Sequence, residues 1–446
     1  MKLSFRGGVH PLPKYHHGKY LSQNQPIEIL KAPAVVSIPC SQHVGAPARP
    51  IVSVGDRVLV GQKIGEAVGF VSVPVHASVS GIVKEIVQKP NNLGKNVEHI
   101  VIENDFQDEV SDQVAPKGSI ESLTAEEIKN IIKEAGNVGL GGAGFPTHVK
   151  LSPQADKKIN TLIINGAECE PFLTADYRMM LEHAPEIVEG INAVMKALDV
   201  KLSFIGVEDN KPEAIKALTK AIGSNNIHVK ELATKYPQGS EKQLIETILG
   251  RVVPSGGLPM DVGVVVLNVS SAKSISDAIR IGMPLIERVV TVTGGVAQPK
   301  NLMARIGTPL TDLVDACGGL TEGVCKIVSG GPMMGQALED LSGVVTKGTS
   351  GIVALDSRFV KPIHESNCIR CGRCVSVCPI GLRPLYITAA VEHEDFEKAK
   401  QLRAMDCMSC GSCSYICPAK RDLAHLIRLA KDQIGAQMRK EESKQR

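Results

Sequence analysis

The sequence predicts a multidomain α/β protein, and three observations carry that reading. The chain has 446 residues, too many for a single hydrophobic core. Between residues 161 and 281 short apolar runs alternate with helical patterns, as they do where helices cover a mostly parallel sheet. On either side lie short strands punctuated by glycine, and the chain closes on two dense cysteine runs. Hydrophobic residues at 43% and charged residues at 22% fit ordered globular domains throughout. A net charge of +3, without basic segments interleaved with aromatics, argues against nucleic acid as a partner.

Residues 1–110 make the first expected domain. No apolar signal region opens it, and nowhere does the chain approach the ~20 apolar residues of a membrane helix, so a soluble or peripheral protein is expected. The stretches 54–65 and 73–83 set glycines at turns between short apolar strands. This pattern resembles the barrel-sandwich hybrid of biotinyl and lipoyl carrier domains. Such carriers attach their cofactor to a hairpin-tip lysine, yet no lysine falls between Lys63 and Lys84, so a structural or docking role is expected. Residues 104–119 are acidic and unpatterned, as a linker would be.

Residues 120–285 make the second expected domain. Thr124 and Glu127 form a capping-box pair, followed by an apolar face of Ile128, Ile131 and Ile132. That helix delivers the chain into Gly139-Leu140-Gly141-Gly142-Ala143-Gly144-Phe145-Pro146. The loop contains G-x-G-x-x-G, but it follows a helix and meets a proline, which excludes the dinucleotide-binding βαβ context. Its glycines still permit close backbone approach to a phosphate or flavin, with Lys150 as countercharge, and a ligand-free turn is the alternative. Strands are predicted at 161–164, 202–207, 227–232 and 262–267, with helices near 175–198, 211–222, 241–249 and 271–281. Just past the first strand, Asn165-Gly166-Ala167-Glu168-Cys169-Glu170-Pro171 sets two carboxylates where such sheets bind ligands. Solvated surface carboxylates are the plainer reading of the same residues.

Residues 286–345 turn β-rich again, with a helix near 310–316, as in a small β-grasp module. Residues 358–435 carry Cys368, Cys371, Cys374 and Cys378, then Cys407, Cys410, Cys413 and Cys417, each run ending in proline. The spacing C-x₂-C-x₂-C-x₃-C-P is that of two-cluster bacterial ferredoxins, in which the fourth cysteine serves the other cluster. It predicts one [4Fe–4S] centre on Cys368, Cys371, Cys374 and Cys417, and a second on Cys407, Cys410, Cys413 and Cys378. Structural zinc usually separates two C-x₂-C pairs by a longer loop and fits poorly. The remaining cysteines, Cys40, Cys169, Cys317 and Cys325, show no pairing pattern, which predicts reduced thiols and an intracellular setting. Beyond the second run, Leu423, Leu426, Ile427, Ala430 and Ile434 fall at helical spacing, predicting a helix packed over the cysteine domain; a partner-docking or membrane-surface helix is the alternative.

Taken in this order, the clusters, glycine loop, acidic turn and β-grasp resemble the C subunits of Rnf electron-transport complexes, the RnfC family, over nearly the whole chain. The segments at 5–11, 253–259 and 405–407 add to the likeness. The central domains are similar to the flavin-bearing, NADH-oxidising subunit of respiratory complex I. That resemblance implies FMN on Gly139, Gly141, Gly142, Gly144 and Lys150, with Phe145 near the nicotinamide. It implies FMN contacts from Asn165 and Glu168, a nicotinamide-side role for Glu170, and further nucleotide contacts from Tyr236, Gly239, Glu241 and Asn268. The chain departs from the motif at Ala167, Ser240 and Leu267, where the resemblance expects Asp, Glu and Asn.

The implied activity is hydride exchange between NAD(H) and FMN, with single electrons passing to or from two [4Fe–4S] clusters. The implied setting is the cytoplasmic face of a membrane, peripheral, among membrane and iron–sulfur subunits that couple ferredoxin:NAD oxidoreduction to Na⁺ or H⁺ translocation. A soluble flavin/iron–sulfur cobalamin reductase and a cluster-only relay with a decayed flavin site are the alternatives.

Overall fold

The computed structural model describes residues 3–92, 94–142, 144–223, 226–360 and 364–445. The N-terminal module is all-β. Strands Val35–Pro39, Asn96–Asn104, Gly81–Pro90 and Arg57–Val58 form one antiparallel sheet in that spatial order, and Arg49–Pro50, Lys63–Glu66 and Val75–His76 form the other. Val36, Ile38, Val58, Ile64, Val73, Val83, Ile100 and Ile102 fill the space between, all shut off from solvent. The acidic stretch that follows has no helix or long strand. It is nonetheless tied down, by a bridge between Val60 and Val110 and by the Lys117 N–H to the Ile279 carbonyl at 2.9 Å.

The second module opens on helix Ala125–Glu134 with the expected capping box: Glu127 N–H to Thr124 Oγ1 at 3.3 Å and Thr124 N–H to the Glu127 carboxylate at 2.7 Å. Its sheet is wholly parallel, in the order Ile227–Leu232, Ser203–Glu208, Thr161–Gly166, Val264–Asn268. All four predicted strands are therefore present, within three residues at their ends. The single helix predicted over 175–198 is two, Ala175–Glu182 and Ala184–Leu198. Pro185 explains the break, since it lacks an N–H and sits comfortably only in a first turn. Helices Ala184–Leu198 and Val269–Arg280 approach so closely at Gly190 that a Cβ there would fall 1.8 Å from the Ala272 carbonyl oxygen.

The third module holds a six-stranded mixed sheet, in the order Ile27–Ile29, Lys300–Arg305, Glu287–Gly294, Gly351–Asp356, Val324–Ser329, Gln336–Leu338. Helix Leu310–Ala316 lies where expected. Two of the six strands come from outside 286–345: one from the N-terminal stretch, and one, Gly351–Asp356, that joins the two halves of the sheet. The last module is helical. Pro384–Glu392, Phe396–Gln401 and Leu423–Gln445 bury Ile387, Val391, Ala399, Ile427, Ala430 and Ile434 together, so the C-terminal helix packs over the cysteine loops.

Candidate functional site: a glycine-loop cleft joined to two cysteine-lined hollows

Strands Thr161–Gly166 and Val264–Asn268 are neighbours, with Asn165 directly opposite Asn268. Two asparagines thus stand at the carboxyl ends of adjacent parallel strands, where sheets of this kind bind ligands. Asn268 accepts the Ser270 N–H at 2.8 Å and so caps helix Val269–Arg280, while its amide donates to Asp176 at 2.7 Å. The glycine loop folds over this helix start. Gly139 N–H reaches the Phe145 carbonyl at 2.9 Å, Gly144 N–H the Gly139 carbonyl at 3.2 Å, and Leu140 N–H the Ser271 hydroxyl at 2.9 Å. Gly141 lies against the Asn268 side chain, and Gly142, at φ +118°, holds a backbone conformation suited to glycine. Both are exposed beside the positive end of a twelve-residue helix, a setting that favours a phosphate. Ala143 lies outside the described residues.

Helix Thr147–Lys150 then carries Lys150 under the cleft, where its ammonium pairs with Glu241 and donates to the Val266 carbonyl at 3.1 Å. Asn165 donates to the Gly239 carbonyl at 2.6 Å and accepts the Ala167 N–H at 3.1 Å. A Cβ on Gly239 would fall 2.2 Å from the Ala167 carbonyl oxygen, so the acidic turn and the 236–241 turn meet backbone to backbone. The fold therefore gathers Gly139, Gly141, Gly142, Gly144, Phe145, Lys150, Asn165, Gly239, Glu241 and Asn268 at one end of the sheet. An open glycine turn, a helix N-terminus, one cation and two amides suit an anionic, planar cofactor such as FMN.

Three expected residues face elsewhere. Glu168 is buried and turns into the protein, accepting the Asp176 N–H at 2.8 Å and the Tyr177 N–H at 3.3 Å at the start of helix Ala175–Glu182. Glu170 faces the glycine turn of the third module, taking the Met333 N–H at 3.1 Å, while its other oxygen is buried without a partner. Burial pushes its carboxyl up to about 7. Tyr236, 1% exposed, donates its hydroxyl to the Cys410 carbonyl at 2.7 Å. As side chains these three serve the seams around the cleft, not its open face. Local spacing could not reveal the placing of Glu170 and Tyr236, whose partners Met333 and Cys410 are distant in sequence.

Several participants were invisible in the sequence. Lys19, from the N-terminal 3₁₀ segment, is buried and donates to the Glu170 carbonyl at 2.9 Å, with the Glu168 carboxylate 3.9 Å away. Lys211 forms a buried pair with Glu208 at 2.8 Å and lies near Glu168. Behind the glycine loop, buried Arg288 donates to the Leu140 carbonyl at 3.4 Å. Lys347, also buried, donates to the carbonyls of Pro74 at 3.0 Å and Gly136 at 2.8 Å, and burial lowers its ammonium to about 7. From the N-terminal module, Val44 N–H reaches the Gly144 carbonyl at 3.0 Å and the Phe70 ring meets His148 edge-on at 5.7 Å.

The cysteines fall into the two crossed sets expected. Cys368, Cys371, Cys374 and Cys417 line one hollow; Cys378, Cys407, Cys410 and Cys413 line another. The two loops are local copies. Arg370 at φ 54° and Ser409 at φ 57° turn their N–H groups to the sulfurs of Cys368 and Cys407, each at 3.4 Å. Gly372 and Gly411, at φ 73° and 75°, then start the short helices that carry the next cysteines. Burial pushes the Cys413 thiol up to about 12 and raises Cys374, Cys378 and Cys407, so thiolates here need bound cationic metal to neutralise them. N–H donors to sulfur and four thiols around a cavity fit a cubane cluster.

The second hollow abuts the flavin-type domain. Besides Tyr236 on Cys410, Gln243 donates to the Pro379 carbonyl at 3.2 Å, and Asp406 accepts from Ser255 Oγ at 2.6 Å and Gly256 N–H at 3.1 Å. The first hollow faces outward, with Cys368 and Cys371 exposed.

Fold and site together define a flavin and iron–sulfur electron-transfer protein. Four family models match in chain order: the RnfC barrel sandwich hybrid domain over 3–107, the Nuo51 FMN-binding domain over 132–277, the SLBB domain over 289–337 and the 4Fe-4S dicluster domain over 361–418. The chain is 49% identical over 441 residues to the C subunit of the Na(+)-translocating ferredoxin:NAD(+) oxidoreductase complex of Acetobacterium woodii, covering 98% of each. It is 48% identical over 446 residues to the proton-translocating counterpart of Clostridium ljungdahlii, covering 100% of this chain and 97% of that one. The chain belongs to this RnfC family of C subunits. The alternatives of a cobalamin reductase and a decayed relay gain no support from these matches. A solved NAD+-reducing [NiFe]-hydrogenase aligns with TM-score 0.51 at 18% identity, over 70% of this chain and 61% of that one, a likeness of fold.

Proposed function

We propose that this chain is the NAD(H)-side subunit of a membrane-associated ferredoxin:NAD oxidoreductase complex whose partner subunits move Na⁺ or H⁺. It sits peripherally on the cytoplasmic face. Among the described residues no helix is long and apolar enough to cross a membrane, in keeping with that place. The observation that carries the reading is the seam. One chain holds a glycine-loop cleft and, bonded to the same domain through Tyr236, Gln243 and the Ser255–Asp406 contact, a four-cysteine hollow.

When bound, FMN supplies the conversion between two-electron hydride exchange with NAD(H) and one-electron transfer. The chain's own residues do the rest. Gly141 and Gly142 N–H groups, beside the start of helix Val269–Arg280, would receive the phosphate, with the Glu241-paired ammonium of Lys150 close by. Asn165 and Asn268, by fixing the Gly239 turn and the helix start, would shape the edge of the site that holds the cofactor. Phe145 would stand on the nicotinamide side of the site, and Glu241, held by Lys150, would favour the cationic NAD⁺ state by its charge. Glu168, Glu170 and Tyr236 act one step back, by holding the turns that carry these groups. Cys378, Cys407, Cys410 and Cys413 hold the cluster nearer the cleft; Cys368, Cys371, Cys374 and Cys417 hold the outer one.

An anaerobic titration of the cluster-loaded chain with FMN and then NADH tests this. Bound flavin that bleaches on NADH addition, with reduced-cluster EPR signals appearing, is expected. Lys150→Ala is expected to lose flavin affinity while keeping its iron content. Clusters that form without any flavin binding would overturn the proposal.

A further inference from the structure

The glycine turn is clamped on its inner side and free on its outer side. Leu140, 4% exposed, has its N–H on the Ser271 hydroxyl at 2.9 Å and its carbonyl on the Arg288 guanidinium at 3.4 Å. The carbonyl and N–H of one planar trans peptide point in opposite directions. Because the Leu140 carbonyl faces Arg288, the Gly141 N–H of the same peptide is directed away from it, toward the exposed face of the turn. Among the described residues neither the Gly141 nor the Gly142 N–H meets a protein acceptor.

Arg288 is an unusual residue to find behind this turn. It enters from strand Glu287–Gly294 of the third module, is 6% exposed, and ends only on carbonyls: Leu140, Lys347 and, at 3.4 Å, Val289. Burial lowers its pKa to about 10, which leaves it charged at neutral pH. The carboxylate whose charge acts on it, Asp176, is already held by Asn268 and Ser270, each at 2.7 Å. Lys150, in the cleft, is neutralised by Glu241. Buried charges are ordinarily paired, because stripping an ion of water is costly. A buried guanidinium without an ion pair among the described residues, set behind a turn whose free N–H groups face outward, calls for an anion on the other side of that turn.

We propose that Arg288 is the positioning residue for the flavin's phosphate, acting through the Leu140–Gly141 peptide. The inference rests on the flavin reading above and adds a residue of the third module to that site. The guanidinium fixes the plane of the peptide by holding its oxygen and polarises it, which makes the Gly141 N–H a stronger donor to the phosphate. Its charge, unanswered by any carboxylate of its own, is answered across the turn. The phosphate therefore draws the second and third modules together, and a flavin without a phosphate does not.

The test compares FMN with riboflavin, which has the same ring system and no phosphate. The full chain, loaded with its clusters, is titrated anaerobically with each flavin, and quenching of flavin fluorescence gives the two dissociation constants. Arg288→Met is expected to raise that of FMN roughly ten- to a hundredfold and to leave that of riboflavin within about twofold of wild type. Arg288→Lys keeps the charge and loses the fork, so its FMN constant should rise only about three- to tenfold, again without change for riboflavin. Equal losses for both flavins would make Arg288 a support of the fold alone and overturn the proposal. So would an unchanged FMN constant in Arg288→Met. If Arg288→Met does not fold, Arg288→Lys decides by itself: a loss selective for FMN upholds the proposal, and an unselective loss or none overturns it. A wild-type chain that binds riboflavin as tightly as FMN also overturns it while leaving the flavin reading in place, whereas binding of neither flavin removes both.

Discussion

Tyr236→Phe removes one oxygen from the seam between the cleft and the inner cysteines. The ring is kept, so its packing against Val9, Met333, Met408 and Ile416 survives. Two strand-like hydrogen bonds to Val9, at 2.8 and 2.9 Å, also persist because they belong to the backbone. What is lost is the 2.7 Å bond to the Cys410 carbonyl, and a residue only 1% exposed leaves no room for water to replace it. Burial raises the tyrosine's pKa, so the hydroxyl is a donor at every working pH. Leaving a buried acceptor unpaired costs about 1–3 kcal/mol. The midpoint of cluster loss in urea should fall accordingly, with the slope unchanged. Because the lost bond positions the Cys407–Cys413 loop, single-turnover cluster reduction by NADH should slow while flavin content and flavin bleaching remain. A Tyr236→Phe variant with wild-type stability and wild-type cluster reduction would refute the claim that this bond holds the seam.

Gly190→Ala should be among the most damaging conservative changes in the second module, since its Cβ would lie 1.8 Å from a backbone oxygen of the facing helix. Overpacking of this kind costs about 1–3 kcal/mol or more, and flavin affinity should drop with it because the displaced helix begins at Asn268. Thermal unfolding and flavin titration check both. Lys347→Met should change the pH profile of stability. The folded ammonium titrates at about 7 against an ordinary value of 10.5, so between those limits the unfolded chain holds a proton that the folded one has shed. Stability contributed by this group therefore rises with pH across that window, by up to about 1.4 kcal/mol per unit, and is constant below it. Denaturation of wild type and variant from pH 7 to 10 should give converging differences of that sign; parallel curves would show that Lys347 stays charged.

The signals legible in the sequence are those with local causes. The Thr124–Glu127 box, the four strands of 161–268 and the cysteine spacing each depend on residues a few positions apart. The crossed cysteine sets are legible for the same reason, since three residues before a proline suffice to turn Cys378 and Cys417 away from their own loops. The N-terminal stretch is not legible. Gly7 passes within 3.0 Å of the Cys378 carbonyl if given a Cβ, Gly18 abuts Phe172, and Ile27–Ile29 adds an edge strand to a sheet built almost three hundred residues later. None of these has a periodicity of its own. The orientation of Glu168 and Glu170 is hidden likewise: two acids in a turn look solvated until Lys19 and the Met333 amide arrive from elsewhere.

The departures from the complex I motif make sense on the same map. Ala167 is 4% exposed, and its carbonyl is pressed against Gly239. Around it the buried cations are already engaged, Lys19 by Glu168 and Lys211 by Glu208, with the Glu170 carboxyl buried close by. An aspartate at 167 would bury a further anion with no cation left to meet it, at a cost of several kcal/mol. Ser240 faces Met408, its hydroxyl 4.0 Å from the sulfur, at the edge of the inner cysteine loop. A glutamate there would drive a carboxylate into the contact that joins cleft to cluster. Both substitutions sit on seams made by segments from the N-terminus and the cysteine domain, so they read as accommodations to those added parts. The open face of the cleft, with Gly141, Gly142, Lys150, Asn165, Glu241 and Asn268, keeps the motif's residues.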